Sequence, residues 1–277
     1  MIFIQNLRFS YKKKAVFDGL NLEFKPGHVY GLLGKNGTGK SSLLRNIAGL
    51  LAPQKGKISV NGLTPFDRLP IFLEDIFMVP EELYLPEIPI SAFVKHNAPF
   101  YPRFDFTKFD NYNSVFEIPS DGTLQNMSYG QKKKVLISFA LATNARVLLM
   151  DEPTNGLDIL SKSQFRKILA EALTDDRCII ISTHQVKDLE NLIDRITIID
   201  EGKILFDETI ETISKKLSFR FAFDNSDVAN ALYVESSFMG NVVVTANTER
   251  EESKIDLELL YKAILANRAT ITNLFQA

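Results

Sequence analysis

The chain has 277 residues, of which 45% are hydrophobic and 24% charged, and its 32 basic and 34 acidic residues give a formal net charge of −2. This length has room for one large α/β domain, or for a domain of about 200 residues and a smaller one. The near-neutral charge argues against a general nucleic-acid-binding surface. No apolar run reaches the roughly 18 residues of a membrane span, and the N-terminus shows no secretory signal. The single cysteine, Cys178, excludes an internal disulfide and a cysteine-rich metal site. We therefore expect a cytoplasmic globular protein.

The N-terminal part of the chain predicts antiparallel strands followed by one buried parallel strand. Apolar and polar residues alternate in LNLEF (20–24), which is typical of a half-buried strand. HVYGLLG (28–34) is an almost continuous apolar run, typical of a strand buried on both faces of a parallel sheet. A glycine-rich turn and apolar residues at helical spacing follow, so the pattern predicts a strand, a glycine loop and a helix.

Residues 86–145 predict a mainly helical subdomain. This segment is broken by prolines and rich in aromatic residues, several of which share one predicted helical face: Phe106, Phe109, Tyr112 and Phe116. We expect this aromatic stripe to form the core of the subdomain.

Short buried strands lie on both sides of the helical segment. They are IFMV (76–79), VLLM (147–150), CIII (178–181) and ITII (196–199). Their alternation with amphipathic stretches, such as 159–173, is typical of a doubly wound parallel sheet. The pattern changes after residue 215. We therefore expect a principal domain over 1–215 and a small α+β accessory region over 216–277, with a helix over 256–267.

A glycine-rich loop follows the first buried parallel strand. The sequence GKNGTGKS (34–41) fits the pattern GxxxxGK[ST]. In such a loop backbone N–H groups surround phosphate oxygens, the lysine reaches the β- and γ-phosphates, and the final hydroxyl binds Mg²⁺. A chance glycine turn is the alternative, but the position between a buried strand and an amphipathic helix favours a nucleotide site. The expected ATP contacts are Gly34, Lys35, Asn36, Gly37, Thr38, Gly39, Lys40, Ser41 and Ser42.

Two acidic residues, Asp151 and Glu152, end the buried strand VLLM. A P-loop ATPase needs a carboxylate at such a position for Mg²⁺, and we assign this role to Asp151 beside Ser41. Glu152 is the candidate general base that polarises the attacking water. A plain strand end or helix cap is the alternative. The predicted fold is α/β, a P-loop NTPase with a RecA-like parallel sheet core, an N-terminal antiparallel β subdomain, a helical subdomain and a small α+β C-terminal appendix.

These residues resemble the ATP-binding cassette (ABC) family over about residues 1–213. MSYGQ (127–131) is similar to the family's LSGGQ signature, EPTNGLD (152–158) to its Walker B exit and D-loop, and STH (182–184) to its switch histidine. YPRFDF and GLD resemble single-domain ATP-binding subunits of two-component exporters. Ser128 and Gln131 also form a capping-box pattern, which places a positive helix end there, although a plain helix start has the same pattern.

The resemblance implies contacts to ATP bound by the same chain. Tyr11 would stack on adenine, with Val16 beside it, although ordinary strand packing would also explain Tyr11. His184 would contact the γ-phosphate and orient water. A lone histidine is more often a polar side chain without such a role, but its position directly after a buried strand favours the functional interpretation.

The resemblance also implies contacts to ATP bound by a second subunit. Ser128, Gly130 and Gln131 would face the γ-phosphate at the partner's P-loop, and Asp158 would lie at the same interface. Two copies, or this chain and a second ABC subunit, would enclose two Mg²⁺-ATP, and each chain would carry two half-sites.

Two positions depart from the family pattern. The glutamine expected after the IFMV strand is Glu81, which could still bind Mg²⁺ or its water but adds a negative charge beside phosphates. The usual first glycine of the signature is Tyr129. We count Glu81 among the catalytic candidates, with Lys40, Glu152 and His184.

Two lysine runs, 12–14 and 132–134, could be nucleic-acid patches. We expect the first to lie at the rim of the nucleotide site and the second on a solvated helix face, and we expect no nucleic-acid partner.

The predicted function is ATP hydrolysis that powers transport through a separate transmembrane permease, at the inner face of the cell membrane. The exposed part of the aromatic stripe, near Glu81 and Glu82, would be the docking groove for that permease. A soluble assembly ATPase outside transport and a regulatory module that barely hydrolyses ATP are the alternatives.

Overall fold

The computed structural model describes residues 1–119, 121–189, 192–222, 225–238, 240–248 and 254–276. Within these ranges the chain forms one large mixed sheet, two small antiparallel sheets and helices that cover both faces of the large sheet.

A six-stranded sheet forms the centre of the protein, in the strand order β5-β6-β7-β3-β8-β9. Its strands are β3 (His28–Leu33), β5 (Ile76–Val79), β6 (Val147–Asp151), β7 (Cys178–Thr183), β8 (Arg195–Asp200) and β9 (Lys203–Thr209). The first five are parallel, and β9 pairs antiparallel with β8 at the edge. β6 and β7 are buried along their whole length because helices cover both faces, and this explains their unbroken apolar sequence.

An antiparallel sheet in the order β2-β1-β4 contains the N-terminus, as the alternating pattern predicts. Its strands are β1 (Ile2–Tyr11), β2 (Lys14–Phe24) and β4 (Lys55–Val60). The helix α1 (Lys40–Ile47) buries Leu43, Leu44 and Ile47 in one apolar cluster with this sheet and one face of the central sheet. The short helix α2 (Pro70–Leu73) precedes β5.

The segment predicted as helical contains three helices, α3 (Ile90–Asn97), α4 (Phe106–Val115) and α5 (Tyr129–Ala142). They pack around the buried ring of Phe139, which contacts Phe93, Phe104 and Phe109 at centroid distances of 5.2, 4.9 and 6.3 Å. Phe109, Tyr112 and Phe116 are buried as predicted, whereas Phe106 is 61% exposed because it is the first residue of α4.

The helix α6 (Ile159–Ala172) covers the other face of the central sheet and matches the predicted amphipathic stretch. Its buried residues Phe165, Ile168 and Leu169 belong to the same apolar cluster as β6 and β7.

The C-terminal part is a small α+β unit, as predicted. It contains α7 (Ile210–Lys216), β10 (Leu217–Phe221), α8 (Asn225–Ala229), β11 (Tyr233–Ser237), β12 (Gly240–Ala246) and α9 (Leu257–Gln276), with the sheet order β10-β12-β11. α9 is kinked at Asn267, whose backbone is not helical (φ −133°, ψ 45°), so the predicted end at residue 267 coincides with a break in the helix. In the segment that follows, Ile271 is fully buried and Phe275 packs edge-on against Phe206 of β9, with ring centroids 5.0 Å apart. The accessory region therefore shares a continuous core with the principal domain.

Candidate nucleotide site

The glycine loop connects β3 to α1, as predicted, and places the N-terminus of α1 at the carboxyl edge of the central sheet. Gly39 precedes the helix with φ 108°, a conformation that favours glycine. A Cβ atom at Gly39 would lie 2.8 Å from the ring of Phe17, and one at Gly34 would lie 2.5 Å from the carbonyl oxygen of Ile199. The loop therefore needs glycine at both positions to keep its backbone this close to the strands.

Lys40 is almost fully buried under this loop. Its Nζ atom donates hydrogen bonds to the carbonyl oxygens of Gly34 (2.7 Å) and Lys35 (3.1 Å) and lies 3.9 Å from Oε1 of Glu152. Burial lowers the pKa of Lys40, and the carboxylate of Glu152 is the largest opposing influence. The loop lysine and the candidate base thus face each other in one site.

Asp151, at the end of β6, fits a role in holding Mg²⁺. Its Oδ1 atom accepts a hydrogen bond from the Ser182 hydroxyl on the adjacent strand. Its Oδ2 atom is buried and has no hydrogen-bond partner among the described residues. An unpaired buried carboxylate oxygen is suited to a metal-bound water, and a magnesium ion held with phosphates needs only one or two protein ligands.

Glu152 is held by groups from β7 and the residue directly after it, and it has a strained backbone conformation, with φ 47°. Its N–H donates to the carbonyl oxygen of Ser182 at 3.0 Å. Its carboxylate accepts hydrogen bonds from Thr183 Oγ1 (3.0 Å), the His184 backbone N–H (3.0 Å) and His184 Nδ1 (2.8 Å). Because a carboxylate can only accept, the proton of the His184 ring is assigned to Nδ1. This pairing of the candidate base with His184 could not be seen from the sequence.

Most predicted ATP contacts surround one open cavity of about 370 Å³. Its lining residues are Tyr11, Lys14, Val16, Asn36, Gly37, Gly39, Lys40, Ser41, Ser42, Glu81 and Glu152. Tyr11 is 44% exposed, and its hydroxyl accepts a hydrogen bond from Ser42 Oγ at 3.3 Å. Lys14 lies at this rim, as expected for the first lysine run.

The signature residues lie outside that cavity. Ser128 caps α5 by accepting a hydrogen bond from the Gln131 N–H (3.2 Å), and the Gln131 side chain accepts one from the Ser128 N–H (3.0 Å), so the predicted capping box is present. Asp158 caps α6 in the same way, accepting from the N–H and hydroxyl of Ser161 at 2.7 and 3.0 Å, and these hydrogen bonds lower the pKa of Asp158.

The two positions that depart from the family pattern contact each other. The Tyr129 hydroxyl donates a hydrogen bond to the backbone carbonyl oxygen of Glu81. The Glu81 carboxylate is exposed and accepts a weak hydrogen bond of 3.4 Å from Asn155 Nδ2 in the loop after Glu152. The signature, the segment after the IFMV strand and the EPTNGLD segment therefore meet within one chain, through Tyr129, Glu81 and Asn155.

The expectation that the 132–134 lysine run is a solvated face was wrong for Lys133. This side chain is fully buried, and its Nζ atom donates to the carbonyl oxygens of Glu152 (2.6 Å) and Asn155 (3.3 Å). The side chains of three consecutive residues in a helix point in three different directions, and here the side chain of Lys133 faces the protein interior. A helical projection of α5 would have shown this face, but it would not have identified the contacted loop.

Tyr261 of α9 is a second residue that sequence reasoning missed. It lines a cavity beside the glycine loop together with Lys35, Asn36 and His184. Burial raises the pKa of Tyr261. The helical pattern of α9 predicts a buried face, but it contains no signal that this face reaches the nucleotide loop.

No described helix combines the length and apolar character needed to cross a membrane.

Comparison with known proteins identifies the family. A family model described as ABC transporter matches residues 17–155. An uncharacterised ABC transporter ATP-binding protein of Methanocaldococcus jannaschii is 28% identical, and the match covers 94% of this chain and 95% of that protein, so it extends into the accessory region. The cobalt import ATP-binding protein CbiO of Salmonella paratyphi A is 34% identical over 74% of this chain and 79% of its own length.

A solved structure supports the same conclusion. The structure of cbiO1 from Clostridium perfringens, described as part of the ABC transporter complex cbiONQ, is 27% identical and superposes with a TM-score of 0.63 over 76% of this chain and 89% of that chain. The predicted P-loop NTPase fold is thereby confirmed. This chain belongs to the ABC transporter family and is one of its ATP-binding subunits.

Proposed function

We propose that this chain hydrolyses Mg²⁺-ATP as one half of a dimer and thereby drives transport through a separate membrane subunit. The observation that carries this proposal is the pairing of Lys40 and Glu152, 3.9 Å apart at the end of the glycine loop, with His184 bound to the same carboxylate. A charge-neutralising lysine and a held carboxylate are the groups that phosphoryl transfer to water needs.

Each residue has a distinct task in this mechanism. Lys40 neutralises charge on the β- and γ-phosphates, and the N–H groups of the glycine loop bind phosphate oxygens. Glu152 orients the attacking water and accepts its proton, while His184 holds the Glu152 carboxylate through its Nδ1–H and lies beside the γ-phosphate. Ser41 and Asp151, with Glu81 nearby, would hold Mg²⁺, which supplies further charge neutralisation when bound.

The position of the signature supports a dimer. Ser128, Gly130 and Gln131 lie outside the cavity formed by the glycine loop of their own chain. The N-terminus of α5 has the positive end of a helix dipole and can bind an anion presented by another subunit. We therefore propose that the γ-phosphate held by one glycine loop meets Ser128 of a second copy or of a second ABC subunit.

A groove in the helical subdomain supports a membrane partner. It measures about 940 Å³ and is lined by exposed and half-buried aromatic residues that include Tyr101, Phe104 and Phe106. Cavities with such lining are suited to an amphipathic helix from a partner. We propose that the permease inserts a cytoplasmic helix here, which places this chain at the inner face of the membrane, and that residues 216–277 form an accessory region.

Co-purification tests the transport function. The tagged chain is recovered from detergent-solubilised membranes of its host, together with Phe106→Asp in the groove and the matched control Phe66→Asp, which changes another exposed phenylalanine (54% exposed against 61%). We expect a polytopic membrane protein with the wild type and with Phe66→Asp, and its loss with Phe106→Asp. Recovery with soluble proteins alone would replace the transport proposal by the assembly-ATPase alternative.

Turnover tests the proposed base separately. Glu152→Gln should lower kcat by about 10²–10⁴-fold, because general base catalysis contributes on this order, and should leave an ATP-stabilised dimer in size exclusion. Glu171→Gln, at an exposed position of α6, is the control. If Glu152→Gln retained turnover, Glu81 would become the candidate base.

A further inference from the structure

Lys133 connects α5, which begins within the MSYGQ signature and is called the signature helix below, to the loop that follows the candidate base Glu152. Its side chain is fully buried although it lies within a run of three lysines. Nζ donates to the carbonyl oxygens of Glu152 at 2.6 Å and Asn155 at 3.3 Å, and it lies 5.6 Å from the centroid of the Tyr129 ring. The two carbonyl oxygens and the face of the ring thus receive the ammonium group from three sides.

These contacts stabilise a strained turn. Glu152 has a left-handed backbone conformation, with φ 47°, which a residue other than glycine adopts only when its surroundings hold it. The carbonyl oxygen of Glu152 accepts from the Asn155 N–H at 3.2 Å as well as from Lys133. Lys133 therefore closes the 152–155 turn from the side of α5 and holds the peptide group of the candidate base.

The same end of α5 is packed tightly against this loop. A Cβ atom at Gly130 would lie only 2.8 Å from the carbonyl oxygen of Gly156, and one at Gly156 would lie 3.1 Å from the Tyr129 ring. Tyr129 in turn donates to the carbonyl oxygen of Glu81. A shift of the signature helix would therefore be transmitted to the turn that holds Glu152.

A buried ammonium group is costly, because it loses its hydration shell, and a neutral side chain of similar volume would usually be at least as stable. The carboxylates of Glu81, Glu152 and Asp151 act favourably on the Lys133 charge across this region. Core stability alone gives no reason for a lysine here, whereas two hydrogen bonds to one turn and a contact with the Tyr129 ring do.

We propose that Lys133 is a positioning residue for ATP hydrolysis: its ammonium group holds the 152–155 turn against the signature helix, so that Glu152 is aligned when that helix engages the partner's ATP. This inference rests on the proposed ATPase function.

The test compares Lys133→Met, which keeps the length and loses the donors, with Lys133→Arg, which keeps charge and donors. Lys132→Met is the control, since Lys132 lies on the same helix and is half-exposed. The full chain is assayed for kcat, KM, equilibrium binding of ATP, thermal unfolding and hydrogen–deuterium exchange of the peptide covering residues 152–158. Exchange in this peptide reports the turn without requiring turnover.

Lys133→Met should lower kcat by about tenfold to hundredfold, since small misplacements of catalytic groups have effects of this size. KM and ATP affinity should stay within about twofold, because the glycine loop is untouched. Exchange over 152–158 should rise while the unfolding temperature stays equal or increases, and Lys133→Arg should restore part of kcat.

Either wild-type kcat or unchanged exchange over 152–158 in Lys133→Met would overturn the positioning role. A loss of kcat that is accompanied by a general fall in unfolding temperature would also overturn it, in favour of a structural role. A wild-type chain that neither binds nor hydrolyses ATP would instead contradict the proposed function, and the exchange measurement would still decide whether Lys133 holds the turn.

Discussion

His184 donates a hydrogen bond from Nδ1 to Oε1 of Glu152 at 2.8 Å, and its backbone N–H donates to the same oxygen at 3.0 Å. These residues lie 32 positions apart in the chain and meet because β6 and β7 are adjacent parallel strands that end at the same edge of the sheet. The histidine therefore sets the direction of the carboxylate that we propose as the general base.

Replacement of His184 should impair turnover more than binding. We expect His184→Ala to lower kcat by about 10²-fold or more, in the range of general acid–base contributions, because the Glu152 carboxylate loses its hydrogen bond from the His184 ring. ATP affinity should change little, since Lys40 and the glycine loop remain. Steady-state kinetics and equilibrium ATP binding measure the two effects. His96→Ala, at an exposed position of α3, is the control, and a His184→Ala protein with full kcat would refute the assignment.

Tyr11 should contribute to nucleotide affinity through its ring. Stacking of a base on an aromatic side chain is worth about 1–3 kcal/mol by alanine substitution, so we expect Tyr11→Ala to raise KM for ATP by about fivefold or more. Tyr11→Phe keeps the ring and loses the contact with Ser42 Oγ, so it should remain near wild type. The ratio of the affinities for GTP and ATP should be the same in Tyr11→Ala and in wild type, because stacking does not distinguish purines. Equal KM values for Tyr11→Ala and wild type would exclude adenine stacking.

The charge of Glu81 should weaken ATP binding. Glu81 lines the cavity of the glycine loop, where its carboxylate would add negative charge beside bound phosphates. We expect Glu81→Gln to lower the Kd for ATP measured without Mg²⁺ several-fold, with a smaller effect at high salt, because exposed charges are screened. The Tyr129 contact uses the Glu81 backbone and is preserved. Glu82→Gln is the matched control, since Glu82 accepts from the exposed Tyr84 hydroxyl instead. Unchanged or weaker binding in Glu81→Gln would contradict this electrostatic role.

Turnover should decrease at alkaline pH because Lys133 loses its charge. Burial lowers the pKa of Lys133 to about 8, against the opposing charges of Glu81, Glu152 and Asp151. Deprotonation between pH 7 and 9 removes the charge that holds the 152–155 turn, so kcat should fall as the pH rises through 8. A guanidinium group stays charged in this range. Lys133→Arg should therefore lack this decline, and pH–rate profiles of the two proteins measure it.

The same shift in pKa predicts that the free energy of unfolding rises with pH, whereas kcat falls. The pKa of Lys133 is lower in the folded protein than the value of about 10.4 for an unfolded lysine, so the folded state binds fewer protons between about pH 8 and 10.4. The contribution of this group to the free energy of unfolding should then increase as the pH rises through that window. Urea unfolding of wild type and Lys133→Met at pH 7, 8 and 9 tests this. A pH-independent difference between the two proteins would contradict the shifted pKa.

The local motifs were predictable because each is contained in a short stretch of chain. The glycine loop between β3 and α1 needs only the spacing of Gly34, Gly39 and Lys40 and an apolar strand before it. The capping box of Ser128 and Gln131 spans a single helical turn. The unbroken apolar runs likewise predicted buried parallel strands, since only strands covered on both faces tolerate such a composition.

The sequence by itself therefore determined the fold class, the family and the local form of each motif. Only the tertiary structure decided which motifs touch one another: His184 with Glu152, Tyr129 with Glu81, Lys133 with the 152–155 turn, and Tyr261 with the glycine loop. The physical reason is that these contacts depend on strand order and on the rotation of α5 and α9 about their axes. The sequence of the three consecutive lysines is the same whether a given lysine faces water or a buried turn, so the sequence alone does not show that Lys133 is the buried one.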